Sequence, residues 1–160
     1  MSFPDDLRAD ETLMQRYVAG EASAFATLYG RHKDGVWRYL LRGSRNEALA
    51  AELWQDVWAS VIKTRHSYEP RARFATWLYR VAHNRLVDHW RAEHPQEALD
   101  AADEIAAPEH HTPVARATQA EQGQRLIQAL QVLSLEQREA FLLQAEGGLS
   151  LEEIATTQGV

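Results

Sequence analysis

Apolar residues recur at three- and four-residue spacings along most of this chain, and that rhythm predicts helices. Leu13, Met14, Tyr17 and Val18 mark a first helix, with Asp10 placed to cap it and Gly20 to stop it. Phe25, Leu28, Tyr29, Val36, Trp37 and Leu40 mark a second, expected to open at Ser23 and end at Gly43. Ser44-Arg-Asn-Glu47 reads as a capping box for a third helix. That helix runs to about Lys63, with Ala51, Trp54, Trp58 and Val61 at core spacing. Pro70 forbids a continuous helix through the loop SYEPRAR that follows. A fourth helix starts near Phe74. Phe74, Leu78, Val81 and Ala82 form its core stripe, while Arg80, Asn84, Val87 and Arg91 line the opposite face.

From His94 to about Thr112 the rhythm fails. Prolines, small residues and acids replace it, and the stretch reads as a flexible acidic linker. Beyond it, Leu126, Ile127, Leu130 and Leu133 mark a fifth helix. Ser134-Leu-Glu-Gln137 is a capping box opening a helix with Ala140, Phe141 and Leu142, closed by Gly147-Gly148. Ser150-Leu-Glu-Glu153 is another, opening a short helix with Ile154 and Ala155 that turns at Gly159. No strand alternation is present. The expected fold is all-α: two small helical domains, 1–93 and 122–160, joined by the linker 94–121.

Charge sharpens the picture. The 160-residue chain carries a net charge of −6, yet residues 24–93 hold 12 basic and 7 acidic side chains. A basic middle in an acidic chain suits a local polyanion site, because charge acts within about 8–10 Å in physiological salt. Cysteine is absent, which excludes disulfides and thiolate metal sites. No apolar run reaches membrane length and no leader pattern opens the chain, so a cytoplasmic protein without membrane insertion is expected. His89 and His94 are five apart and His110-His111 adjacent, without the i, i+4 frame of a helical zinc site. No phosphate loop, nucleophile elbow or catalytic carboxylate pair is seen, so no cofactor, metal or enzymatic activity is expected.

Four blocks, in order, carry a resemblance: GEASAFATLYGRH, ELWQDVWASV, FATWLYRVAHNRLVD and LSLEQREAFLLQAEGGLSLEEIATTQGV. Together they resemble the extracytoplasmic-function sigma factors, the small two-domain initiation subunits of bacterial RNA polymerase. The resemblance implies a region 2-like domain over 1–93 and a region 4-like helix-turn-helix domain over 122–160. In ELWQD, Glu52, Gln55 and Asp56 share one helix face. The family docks that face on the clamp helices of the polymerase largest subunit. The resemblance assigns −10 promoter recognition to the loop 64–73, with Arg65, His66, Tyr68, Arg71 and Arg73, and to the fourth helix. There Asn84 sits where the family places a polar residue under a flipped base, and Arg80 and Arg91 suit phosphate contacts. Phe74 and Trp77 read as core rather than strand-melting wedges.

The linker resembles the family's acidic segment, which threads the polymerase towards its active centre. LSLEEIATTQGV resembles the first helix and turn of a helix-turn-helix; the recognition helix would follow Val160. The region 4-like domain is therefore read as incomplete, and −35 readout is assigned to none of these residues. The implied partners are core polymerase, promoter DNA and, as for many relatives, an anti-sigma factor. Two other readings stand beside this one. A helix-turn-helix regulator would bind duplex DNA alone, and a helical interaction module would have no DNA role. The ELWQD block and the linker weigh against the first, and the Arg80, Asn84, Arg91 row against the second.

Overall fold

The computed structural model describes residues 6–93 and 119–159, and among these the chain is all helical. The expected linker lies outside them except at its end, where helix has already begun at Gln119. The helices are α1 (Asp10–Val18), α2 (Ala22–Ser44), α3 (Glu47–Lys63), α4 (Phe74–Glu93), α5 (Gln119–Val132), α6 (Leu135–Ala145) and α7 (Leu151–Gln158). A single 3₁₀ turn, Arg65–Ser67, leads out of α3.

In the N-terminal half α2 is the central helix, packed on α1, α3 and α4. Leu13, Met14, Leu28, Val36, Leu40, Val57, Val61, Phe74 and Leu78 are fully buried there. Aromatic rings close its flank: Phe25, Tyr29, Trp54 and Trp58 meet edge-on or stacked, at centroid separations of 5.0–6.4 Å. The inward face of α3 is Ala50, Leu53, Val57, Trp58 and Val61; Trp58 and Val61 are buried as expected, while Ala50 and Leu53 take the places expected of Ala51 and Trp54. Ala51 is exposed, and Trp54 stays half-covered because its indole N–H reaches the Lys33 carbonyl at 3.2 Å.

The helix ends differ from expectation in instructive ways. Asp10 lies inside the first turn of α1, and Ala9 is the flanking residue. The Asp10 carboxylate instead ties α1 to α2, accepting from Arg31 at 2.9 Å and meeting His32 at 2.8 Å. Ser23 also falls inside its helix, since α2 opens at Ala22. Gly43 does not end α2. A Cβ there would lie 2.7 Å from Leu86, so the glycine serves the close approach of α4. The chain turns two residues later, where Arg45 takes a left-handed conformation with φ 57°. Ser44 is then the last residue of α2, and Asn46 caps α3 by accepting from the Leu49 N–H at 3.1 Å. Both later capping boxes form as expected, on Ser134 with Gln137 and on Ser150 with Glu153.

The C-terminal half is thinner. Its buried apolar side chains are Leu130, Leu142, Leu143, Leu149 and Ile154, while Leu126, Phe141 and Leu151 are exposed. It sits against the N-terminal half, α6 on α2 and α7 on α4. Gly147 permits that approach: a Cβ would lie 2.9 Å from the Tyr79 ring. The buried side chains of both halves form one continuous cluster.

Candidate functional site

Two surfaces of the N-terminal half hold the residues singled out from the sequence. On α3, Glu52, Gln55 and Asp56 are all exposed, because the aromatic and aliphatic side of the helix is spent on α2. Gln55 borders a groove between α2 and α3 lined by Tyr29, Lys33, Asp34, Trp37, Ala51 and Trp54. The face is polar, carries two carboxylates and has an apolar floor beside it. Such a surface suits a basic helical partner with some apolar residues.

The second surface is the loop and outer row of α4. Phe74, Leu78 and Ala82 are buried, Val81 is half-buried, and Asn84 and Arg91 are exposed on the far side. Arg73, just before the helix, falls on the same row as Arg80, Asn84 and Arg91 at 100° per residue. The start of α4 is tied to α1. Glu11 accepts from the Phe74 N–H at 2.9 Å and so satisfies one of the free donors at that helix end. Arg65 turns back to the Ile62 carbonyl at 2.7 Å and lies over the Tyr17 ring. His66 and Arg71 point outward, Arg71 loosely paired with Glu69 at 3.4 Å. Tyr68 departs from its expected place. It is 7% exposed, packed edge-on to Phe74 and Trp77, with its hydroxyl donating to the Ala72 carbonyl. Burial pushes its hydroxyl up to about 12. Tyr68 therefore shapes the loop from inside. Trp77 is half-buried in the same aromatic group.

The C-terminal half reaches the first part of this row, where Arg73 is exposed and Arg80 half-buried. Arg73 Nε is 3.5 Å from the Glu153 carboxylate, and its guanidinium also donates to the Gly148 carbonyl at 3.2 Å. The Thr76 hydroxyl donates to the same carboxylate, and Arg80 Nε donates to the Thr157 hydroxyl at 3.2 Å. The backbone N–H of Ser150 and then Thr76 and Arg73 hold Glu153 below the usual carboxylate range, against the opposing effect of burial. Further along, Glu146 pairs with Arg38 at 2.9 Å and Arg42 at 3.3 Å. Arg45 donates to the Gln131 carbonyl at 3.0 Å.

Two charged residues of α6 are buried at this junction. Glu139, 2% exposed, accepts from the Tyr39 hydroxyl at 2.7 Å and lies 2.5 Å from His83 Nδ1. Burial, then the Glu139 charge, pushes the Tyr39 hydroxyl well above its ordinary value. Arg138, also 2% exposed, donates to the Gly43 carbonyl at 2.8 Å. Burial, then the nearby Arg45, lowers its guanidinium to about 10. The Gly43 carbonyl is one of the orphan acceptors at the end of α2, so the C-terminal half caps that helix.

Sequence reasoning missed Glu11, Tyr39, His83, Arg138 and Glu139. One signal was available. On α4, Thr76, Tyr79, His83 and Leu86 repeat at spacings of three, four and three, and all four are buried. A helix with a second covered stripe needs a second neighbour.

Comparison with known proteins decides the family. Residues 28–96 match the model of sigma-70 region 2, and residues 123–160 that of sigma-70 region 4. RNA polymerase sigma factor CarQ of Myxococcus xanthus is 35% identical over 147 residues, spanning 92% of this chain and 83% of CarQ. The chain belongs to the extracytoplasmic-function sigma factors. This sigma factor is thus an alternative initiation subunit that directs RNA polymerase to promoters, in a family of non-enzymatic factors. ECF sigma factor BldN of Streptomyces coelicolor is 27% identical, over 92% of this chain and 56% of BldN. Among solved structures, CnrH in complex with the cytosolic domain of CnrY matches with a TM-score of 0.66 and 21% identity, over 96% of this chain and 84% of CnrH. RpoE in complex with the anti-sigma factor NepR from Bartonella quintana matches with a TM-score of 0.63 and 22% identity, over 84% and 82%. These two establish the shared fold. No helix among the described residues is long and apolar enough to cross a membrane, and no cluster of metal-ligating side chains is found among them.

Proposed function

We propose that this sigma factor grips core polymerase through Glu52, Gln55 and Asp56 on α3, and that the partner surface is the clamp helices of the largest subunit. The observation that carries the reading is the exposure of all three on one face beside the α2–α3 groove. The loop 64–73 and the outer row of α4 then take the −10 element. Arg65, Arg71, Arg73, Arg80 and Arg91 neutralise phosphates, Asn84 reads a base edge, and Tyr68 holds the loop from within. Residues 1–93 act as the region 2 unit, 94–121 as an acidic tether and 122–160 as the region 4 unit. The setting is the cytoplasm, where polymerase works. The sigma–anti-sigma complexes among the structural relatives support an anti-sigma factor as a further partner.

Pull-down with core polymerase followed by run-off transcription tests both surfaces. Asp56→Lys is expected to weaken core binding while leaving helical content intact, since a single exposed charge rarely unfolds a domain. Asn84→Ala is expected to keep core binding and flatten preference at one −10 position. Core binding unchanged by both Asp56→Lys and Gln55→Ala would remove the α3 assignment. A parental ranking of −10 variants by Asn84→Ala would remove Asn84.

A further inference from the structure

We propose that the C-terminal domain, docked as in this structure, masks the promoter-binding row of α4, so that α7 and promoter DNA compete for the same arginines. The inference rests on the −10 reading of that row. Its basis is the identity of the groups in contact. Glu153 presents a carboxylate to Arg73 and Thr76, and Thr157 a hydroxyl oxygen to Arg80, in the places where phosphate oxygens would otherwise lie. A guanidinium donor already turned to a carboxylate or hydroxyl is not available to phosphate until that contact is given up. Asn84 and Arg91 lie farther along the helix and remain exposed. The mask therefore occupies donors of Arg73, which itself stays exposed, and of half-buried Arg80, and it leaves the end of the row open.

The charges of the two halves favour docking in register. Residues 24–93 carry a net charge of +5 and residues 122–160 one of −3. Arg38, Arg42, Arg45, Arg73 and Arg80 all reach acceptors of the C-terminal half. Glu139 is the latch. Seated between Tyr39 and His83, its carboxylate is buried and hydrogen-bonded only while the halves are docked. On separation water replaces both partners, so the latch selects one docked geometry without making it permanent. A contact this polar suits a state that a competing polyanion can displace.

The test uses the full chain, whose lack of cysteine allows clean labelling. Spin labels at Lys63→Cys and Thr156→Cys, both exposed, report the distance between the halves. A fluorescein-labelled pool of single-stranded 20-mers reports DNA binding at fixed salt. Glu139→Lys places a cation beside His83 and is expected to lengthen and broaden the distance distribution. If the parent is docked roughly nine-tenths of the time, opening should tighten oligonucleotide binding about tenfold. Glu153→Gln keeps the α7 capping box, removes the negative charge facing Arg73, and should give a smaller gain in the same direction. It also serves if Glu139→Lys disturbs folding by circular dichroism. Opened variants that bind DNA no better than the parent overturn the mask. The −10 reading is separated by adding Arg73→Ala and Arg80→Ala to an opened variant. Loss of binding there upholds that reading whether or not the mask stands. No loss removes the reading and the mask with it.

Discussion

The two halves of this sigma factor solve the same packing problem with unequal means. The N-terminal half buries large apolar side chains on all four of its helices and closes its flank with aromatic rings. The C-terminal half has three short helices, leaves Leu126, Val132, Phe141 and Leu151 exposed, and completes its core with Arg138 and Glu139 inserted into its neighbour. Small domains bury a small share of their surface and have little stability to spare. The C-terminal half therefore draws part of its order from docking, whereas the N-terminal half holds its site residues by its own core. A fixed platform bearing the polymerase face and a displaceable cover are what the competition proposed above requires.

The largest expected effect strikes the platform. Phe74 is fully buried at the start of α4, against His32, Tyr68 and Trp77. Phe74→Ala should cost about 3–5 kcal/mol in urea unfolding. The C-terminal half should lose protection with it, because its docking surface is gone. A Phe74→Ala protein whose C-terminal amides stay as protected as the parent's would show that this half stands alone.

Next is a change confined to the junction. Arg138→Met keeps length and apolar bulk but removes the donors to the Gly43 and Leu133 carbonyls. Leaving a buried acceptor unsatisfied costs about 1–3 kcal/mol. Undocking exposes the Gly43 carbonyl to water and relieves that cost, so the chain should respond by separating. Hydrogen exchange should accelerate in α6 and α7 while α1 to α3 keep their protection. Uniform acceleration across both halves would mean that they unfold as one unit.

The same contrast governs what could be read from the sequence. Helices of the platform were legible because their apolar stripes are long and regular, and the capping boxes on Ser134 and Ser150 because each is a complete local device. Ends that depend on distant partners were not legible. Gly43 looked like a helix stop because its neighbour Leu86 lies on another helix. Asp10 looked like a cap because Arg31 and His32 were out of view. The exposed site residues Glu52, Gln55, Asp56, Asn84 and Arg91 were visible as polar positions breaking an apolar rhythm. The burial of Tyr68 was not legible, because an aromatic in a basic loop carries no local mark of it. Arg138 and Glu139 gave no sign, since a charged pair on a short helix normally faces water. Their burial comes from tertiary contact alone.

The smallest expected effect concerns acid. Glu153 has its carboxyl pKa lowered in the docked state, by the Ser150 N–H, Thr76 and Arg73. A lowered pKa means a contribution that is present above the ordinary carboxylate range and lost as pH falls through the lowered value. The Ser150 N–H belongs to the same helix end and stays with Glu153 when the halves part, whereas Thr76 and Arg73 belong to the other half, so docking should weaken on acidification by the share those two contribute. Acid acts on the whole junction, so the informative quantity is a difference. The labelled parent and its Glu153→Gln counterpart should be followed by interdomain distance from neutral pH to about pH 3. Glutamine retains the cap but cannot titrate. Its curve should start from a more open distribution and lack the step that Glu153 contributes, so the two should converge at low pH. Curves that coincide from neutral pH downward would show that the Glu153 contact with Arg73 and Thr76 plays no part in holding the halves together.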